Sequence, residues 1–292
     1  MNQQPSGVSV VVLGVMQDGG LPHIGCQCPR CQEAFDKPRT AGYAASLALV
    51  DRRQEPTKVW VIDATPDIKW QLRMLAADLG PHALRAGRLR QPDGLFLTHA
   101  HLGHIGGLPQ LGPEAMAVHD LPVYATPELA ALLQGTDLWR PAVSCFSLRP
   151  IRPGKALHLS PGLAITSVPV PHRDEWNAGT VAYQVTGPQR TLLYLPDIDS
   201  WELWPEASAV LSSVDIALVD ACFYSSGELG GRAPVAHPLV PDTLERFPEI
   251  AGRLLLTHIN HTNPILDETS PERKAVYRSG ARIAHCGLSF DL

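Results

Sequence analysis

Short apolar runs, each about the length of a β-strand, dominate the hydrophobic pattern of this 292-residue chain. They are rich in β-branched and other apolar residues and are bounded by glycine, proline or aspartate, which predicts strands. The predicted strands are residues 8–14, 45–50, 58–63, 94–99, 121–126, 163–170, 181–186, 191–197, 214–221, 252–259 and 281–286. They form an early group and a late group along the chain.

Helices are predicted between these strands. Residues 65–79 and 126–135 each begin with threonine followed by proline, which is a frequent helix start, and the second ends at a glycine. A third helix is predicted over residues 240–247. Strands grouped in this way, with helices between them, favour an α+β fold, an αββα sandwich of four layers, over a barrel. We expect one domain over residues 1–292.

Polar residues suited to chemistry stand at the ends of the predicted strands. They are Asp63, His99, His172, Asp197 and His258. A rigid sheet presents side chains from its strand ends and the following loops to a shared site. The sequence therefore predicts that these residues meet at one edge of the sandwich.

Composition narrows the class of protein. The chain is 45% hydrophobic and 18% charged, and its net charge of −5 comes without a basic stripe, which disfavours a nucleic-acid partner. No apolar stretch approaches the roughly 20 residues that cross a bilayer, and the first residues lack the basic region of a signal peptide. We expect a cytoplasmic protein with a small-molecule substrate and no nucleic-acid or membrane partner. Since dimers are the commonest oligomers, a homodimer is the expected assembly.

Three histidines follow one predicted strand in "LFLTHAHLGHIGGL". His99 and His101 are two positions apart, so their side chains point the same way in extended chain, and His104 follows closely. Imidazole is a preferred ligand of zinc, iron and similar divalent ions. The alternative is a loop that is rich in histidine by chance, but the chain has only 12 histidines. The cluster favours a metal site.

This segment resembles the Thr-His-x-His-x-Asp-His pattern of the metallo-β-lactamase fold superfamily, except at Gly103. Further residues typical of that superfamily occur in order along nearly the whole chain. They are Asp63 in "VIDATPD", His172 in "VPVPH", Asp197 in "LLYLPDID" and His258 in "LLLTHIN". The resemblance implies the αββα sandwich and a metal-dependent active site.

The resemblance also implies two metal positions. His99, His101 and His172 would hold one ion, while His104 and His258 would hold a second, with Asp197 bridging. The superfamily has a metal-binding aspartate where this chain has Gly103, and glycine cannot be a ligand. We therefore expect a weak second site or a single ion. Asp63 is expected to fix the histidine loop by hydrogen bonds.

A cysteine cluster lies near the start of the chain. Cys26, Cys28 and Cys31 in "GCQCPRC" have a spacing that can wrap a tetrahedral zinc ion; the alternatives are buried thiols or a redox cluster. A disulfide is disfavoured in a reducing compartment. The scattered Cys145, Cys222 and Cys286 are expected to be small buried apolar residues.

The glycine-rich loop and cysteine knuckle (residues 26–31) resemble one branch of the superfamily. That branch contains the phosphonate-pathway cyclic phosphodiesterase and pyrroloquinoline quinone biosynthesis protein B. Resemblance to the former implies that His261 joins the three cysteines in a structural zinc site. The stretch from His258 to Arg273 is more similar to the latter, which departs from the superfamily at the first histidines of the cluster. This chain keeps His99 and His101.

These observations favour a metal-dependent hydrolase of a small phosphodiester or ester, because a bound metal makes water a nucleophile near neutral pH. His237 precedes a predicted helix and is the candidate proton donor, although a surface or capping histidine is the alternative; Asp197 is the other candidate catalytic residue. The expected cofactor is zinc, one ion in the knuckle and one or two in the active site, where manganese or iron are alternatives. Two other functions stay open: an oxidative, iron-dependent role in quinone-cofactor biosynthesis, and a carrier without activity, which Gly103 would explain.

Overall fold

Two seven-stranded sheets form the centre of the computed structural model, which describes residues 7–232, 234 and 236–292. The first sheet contains β1 (Val8–Gly14), β2 (Ser46–Asp51), β3 (Lys58–Ile62), β4 (Gly94–Phe96), β5 (Leu121–Ala125), β6 (Phe146–Pro150) and β14 (Ser289–Asp291). The second contains β7 (Leu157–Ser160), β8 (Leu163–Pro169), β9 (Val181–Thr186), β10 (Thr191–Leu195), β11 (Ile216–Asp220), β12 (Leu254–Thr257) and β13 (Arg282–Ile283).

The two sheets have related strand orders. The first runs β14-β1-β2-β3-β4-β5-β6 and the second β13-β12-β11-β10-β9-β8-β7. Each is parallel on one side, from β3 to β6 and from β10 to β13, and antiparallel on the other. Parallel strands end at the same edge of a sheet, so the loops after β3 and β4 and those after β10, β11 and β12 collect there.

Most of the helices lie on the outer faces of the sheets. The helices are α1 (Pro29–Asp36), α2 (Ile68–Met74), α3 (Ala76–Leu79), α4 (Leu102–Ile105), α5 (Pro127–Gly135), α6 (Arg140–Val143), α7 (Ala207–Ser212), α8 (Val240–Arg246) and α9 (Pro271–Arg278). None of the helices in the described part of the chain has the length and apolar character needed to span a membrane.

The buried apolar residues form three layers of core. Leu47 of the first sheet and Tyr183 of the second lie in one cluster between the sheets. A second cluster joins the first sheet to α2 and α5, and a third joins the second sheet to α8 and α9. The expected αββα sandwich of four layers is confirmed. Of the scattered cysteines, Cys222 is buried as expected, whereas Cys145 and Cys286 are partly exposed.

Several elements differ from the sequence-based prediction. The helix predicted over residues 65–79 begins only at Ile68, because the Thr65 hydroxyl accepts a hydrogen bond from the amide of Asp67 in a turn before the helix, and it is interrupted at Leu75. The helix start at Thr126 is confirmed, since its hydroxyl accepts from the amide of Leu129. Strands β6, β7 and β14 were not predicted: they are short and half-exposed, so they lack a strong apolar pattern.

Candidate metal centre

Six residues predicted as metal ligands lie together at the shared edge of the two sheets. They are His99, His101, His104, His172, Asp197 and His258. The first three come from the segment of β4 and α4, and the other three follow β8, β10 and β12. All six are buried, with no more than 8% of any residue exposed. The structure therefore brings together every active-site ligand that the sequence predicted.

Three imidazole nitrogens form a first group. Nδ1 of His101 lies 2.9 Å from Nε2 of His99 and 3.2 Å from Nε2 of His172. Ligands that hold a tetrahedral zinc ion at roughly 2.0–2.1 Å stand about 3.3 Å apart. Burial lowers the pKa of His99 and of His172, which favours the neutral imidazole that binds metals. This group therefore has the spacing of one metal site, and burial favours the metal-binding form of His99 and His172.

A carboxylate that the sequence did not predict belongs to a second group. Oδ1 of Asp18, in the loop after β1, lies 3.2 Å from Nε2 of His104 and 3.3 Å from Nε2 of His258. Asp197 lies between the two groups: its Oδ2 is 3.0 Å from Nε2 of His104, and its Oδ1 is 3.7 Å from Nε2 of His172. Position 103 offers no carboxylate to the second group, and the carboxylate of Asp18, carried by the loop after β1, lies beside the two histidines. The expected weak second site or single ion stays a prediction.

Two buried atoms of the second group indicate a cation. Nε2 of His104 and Oδ2 of Asp197 are close together, yet neither has a hydrogen-bond partner of acceptable geometry among the residues that the structure describes. Buried polar atoms without partners are costly, and a shared metal ion would satisfy both. A donor set of imidazole nitrogens and carboxylate oxygens fits zinc, and it fits manganese and iron as well.

Asp63 fixes the histidine loop by hydrogen bonds, as expected. Its Oδ1 accepts hydrogen bonds from the amide of Thr98 at 2.8 Å and from the Thr98 hydroxyl at 3.0 Å, and its Oδ2 is 2.8 Å from Nδ1 of His104. Asp63 is fully buried and has a φ of 69°, a conformation that is unusual for residues other than glycine. Such backbone strain is found mostly at functional sites.

The Asp63→Ala variant is expected to lose about 2–4 kcal/mol of the free energy of unfolding, because buried donors of Thr98 and His104 would be left without acceptors. Urea unfolding of the metal-depleted protein measures this loss, and exposed Glu114→Ala serves as the control. A loss no larger than that of the control would show that Asp63 does not fix the loop.

Further carboxylates support the first group. Oε2 of Glu175 lies 3.0 Å from Nε2 of His101, and Oδ1 of Asp199 lies 3.0 Å from Nδ1 of His172. A carboxylate that is hydrogen-bonded to a ligand histidine, as Glu175 is to His101, orients it and raises its basicity, whereas Asp199 lies at an ion-pair distance without hydrogen-bond geometry. Neither was predicted from the sequence, although each lies within three residues of a predicted ligand and could have been found on that ground.

His237, the predicted proton donor, lies beside this centre. Its Nδ1 is 2.7 Å from Oδ2 of Asp220, the last residue of β11, and 3.9 Å from Oδ1 of Asp197. Burial opposes its charged form, but the nearby carboxylates, above all Asp220, outweigh burial and raise the pKa of His237 to about 9. Its φ of 71° is again strained. Asp220 was missed, although it ends β11, much as Asp197 lies two residues after the end of β10.

The structure brings the three cysteines of the knuckle close to His261. Sγ of Cys31 lies 3.4 Å from Nδ1 of His261, and Sγ of Cys26 and Cys28 lie 3.8 Å and 3.9 Å from the same nitrogen. A zinc ion with sulfur at roughly 2.3 Å and nitrogen at roughly 2.0 Å would separate such ligands by about 3.5 Å. These four residues fit a structural zinc ion, at a place distinct from the histidine centre.

Comparison with known proteins decides the family. Residues 59–259, more than half of the chain, match the model of the β-lactamase superfamily domain. The chain belongs to this superfamily. This chain is also 31% identical to coenzyme PQQ synthesis protein B of Cupriavidus necator, over 97% of this chain and 99% of that protein. The corresponding protein of Methylorubrum populi is 27% identical over 97% of this chain and 99% of its own length.

Solved structures confirm the superfamily fold. The Zn²⁺-bound PqqB of Methylobacterium extorquens superposes with a TM-score of 0.81 at 23% identity, over 97% of this chain and 100% of that one. A diphosphatase of the PhnP family superposes with a TM-score of 0.69 at 22% identity, over 97% of this chain and 96% of its own. The predicted resemblance to the PqqB branch is confirmed by these relatives, and the PhnP-family diphosphatase shares the same fold.

Proposed function

We propose that this protein is a metal-dependent hydrolase of a small phosphodiester or ester. The observation that carries the proposal is the convergence of His99, His101 and His172 on one point, beside the group formed by Asp18, His104 and His258. A divalent ion bound there would make water more acidic and polarise a phosphoryl or carbonyl oxygen.

The residues around the centre divide the remaining tasks. Asp197 contacts both groups of ligands and fixes their separation. Asp220 is hydrogen-bonded to Nδ1 of His237. The other ring nitrogen, Nε2, is therefore the one that donates a proton to the leaving-group oxygen. A general acid of this kind contributes roughly 10²–10⁴-fold to the rate when the leaving group is poor.

The cleft beside His237 favours an anionic substrate. Arg173 and Arg232 line it together with Gln17 and Phe223. Guanidinium groups are preferred partners of phosphate oxygens, whereas a neutral ester offers them no charge. The cleft therefore supports a phosphodiester over a carboxylic ester.

The proposal is tested on protein purified without added metal. Zinc, manganese and iron are measured per chain, and turnover of bis(p-nitrophenyl) phosphate and of p-nitrophenyl acetate is assayed. Metal beyond the one ion of the knuckle, together with faster turnover of the phosphodiester than of the acetate, supports the proposal. A single zinc ion per chain with no turnover contradicts it and favours a carrier.

A role in coenzyme PQQ synthesis is the second candidate. It is supported by the 31% identity to coenzyme PQQ synthesis protein B over nearly the full length of both chains. Oxidative chemistry in that pathway would be indicated by iron in the purified protein and oxygen consumption. Restoration of PQQ production in a bacterium that lacks its own PqqB tests the role directly.

The effect of His237→Ala is expected to depend on the leaving group. Hydrolysis of a phosphodiester with an alkyl leaving group should fall by about 10²-fold or more, because the alkoxide needs a proton. Hydrolysis of bis(p-nitrophenyl) phosphate should fall much less, because p-nitrophenolate leaves without one. Equal losses on both substrates, measured as kcat/KM, would show that His237 acts only on the structure of the site.

A further inference from the structure

The glycine at position 103 is matched by an acidic residue elsewhere in the fold. We propose that Asp18 supplies the second-site carboxylate for which position 103 has no side chain, so that the loop after β1 provides a ligand to the second metal ion. This inference rests on the proposed function only in requiring that the active site binds metal.

The geometry of Asp18 is that of a shared ligand. Its Oδ1 is nearly equidistant from Nε2 of His104 and Nε2 of His258, at 3.2 Å and 3.3 Å. Nδ1 of His104 already faces Asp63 at 2.8 Å, so Nε2 is the nitrogen left for a metal. These two distances are close to those between ligands of one ion at roughly 2.0–2.2 Å, and one ligand atom from each of the three residues lies within 4.8 Å of the others.

Asp18 fills the space beside Gly103. A Cβ atom added to Gly103 would lie 2.6 Å from the Cβ of Asp18 and would overlap its carboxyl group. Real Cβ atoms essentially never approach other atoms so closely. The two positions therefore exclude each other: this fold accepts a side chain from residue 103 or the carboxylate of Asp18, but not both in their present places.

The loop that carries Asp18 is fixed next to His258. The amide of Gln17 donates to the carbonyl of Ile259 at 2.9 Å, and the amide of Ile259 donates to the carbonyl of Val15 at 2.7 Å. The same two chain segments meet again at the knuckle, where Sγ of Cys26 and Nδ1 of His261 are 3.8 Å apart. Two connections thus hold Asp18 in register with His258, independently of the segment that carries residue 103.

The test is an exchange of the two positions. Wild type, Asp18→Ala, Gly103→Asp and the double variant Asp18→Gly/Gly103→Asp are loaded with zinc and dialysed, and zinc per chain is measured by mass spectrometry. Affinity is measured by competition with a chromophoric chelator. Asp36→Ala, an exposed carboxylate on α1, is the control for removal of a negative charge. Circular dichroism reports whether each variant is folded.

We expect three zinc ions per chain in the wild type and two in Asp18→Ala, with the weakest-bound active-site ion held at least about 10-fold less tightly. The double variant should regain the third ion, because the carboxylate introduced at position 103 enters the space that Asp18 has left. Gly103→Asp alone should be less stable than the wild type and the double variant, because the new side chain would collide with that of Asp18.

Full zinc content and unchanged affinity in Asp18→Ala would overturn the inference, since Asp18 would then only form ion pairs with the two histidines. A folded double variant that still lacks the third ion would overturn it as well. Both results leave the proposed hydrolase standing. A wild type with zinc in the knuckle alone contradicts the inference and the proposed function together.

Discussion

His101→Ala is expected to abolish phosphodiester turnover while the protein stays folded. Nδ1 of His101 is the atom that both His99 and His172 approach, at 2.9 Å and 3.2 Å, so its removal takes the central ligand from the first group. Even residues that only support ligands are worth about 10–100-fold in metal affinity or activity, so a ligand itself should be worth at least about 100-fold. The imidazole lies among His99, His172 and Glu175 and outside the apolar core clusters, which is why the fold should survive.

Activity and folding are measured separately for this variant. The value of kcat/KM on bis(p-nitrophenyl) phosphate should fall below about 1% of wild type, while the circular dichroism spectrum stays unchanged. His158→Ala removes an exposed histidine from β7 and should retain full activity. If His101→Ala kept more than a tenth of the activity, the first group would not be the reaction centre.

Cys28→Ala is expected to destabilise the whole protein. Cys28 directly precedes α1, and its Sγ lies 3.9 Å from Nδ1 of His261. A zinc ion bound by both residues would link the N-terminal loop to the segment after β12. Structural zinc contributes folding free energy, about 10–16 kcal/mol in small zinc peptides, and one ligand of four carries a substantial share. A loss of a few kcal/mol would lower the melting temperature by about 5–10 °C.

Thermal unfolding followed by circular dichroism measures this effect. Cys145→Ala, which removes a partly exposed thiol that is not part of the knuckle, is the matched control and should melt close to wild type. The metal chelator EDTA should lower the melting temperature of the wild type by more than that of Cys28→Ala, which has only active-site ions left to lose. An unchanged melting temperature in Cys28→Ala would show that the knuckle holds no structural zinc.

The position of polar residues at strand ends explains how much of the site could be predicted. His99, Asp197 and His258 each follow a buried strand that is clearly apolar in the sequence, and parallel strands bring their ends to one edge. His172 follows the half-buried strand β8. The same reasoning applied to β11 would have added Asp220. Prediction failed at β6, β7 and β14, because edge strands with half-exposed faces leave no clear pattern.

Asp18 could not be predicted in the same way. It lies in a glycine-rich loop, and no local feature of "MQDGG" marks it as a ligand. Its relation to Gly103 is a tertiary contact, visible only once β1 and β4 are placed in one sheet. A missing ligand in a familiar motif is therefore weak evidence for a missing metal, because another loop can deliver the same chemical group to the same point.

The claim that His99, His101 and His172 bind a divalent metal ion is tested most directly by anomalous X-ray scattering. Crystals of the protein soaked in zinc are measured at the zinc edge. We expect one peak among Cys26, Cys28, Cys31 and His261, and another within about 2.2 Å of Nε2 of His99, Nδ1 of His101 and Nε2 of His172. A peak at the knuckle with none among these three histidines would contradict the proposed metal centre.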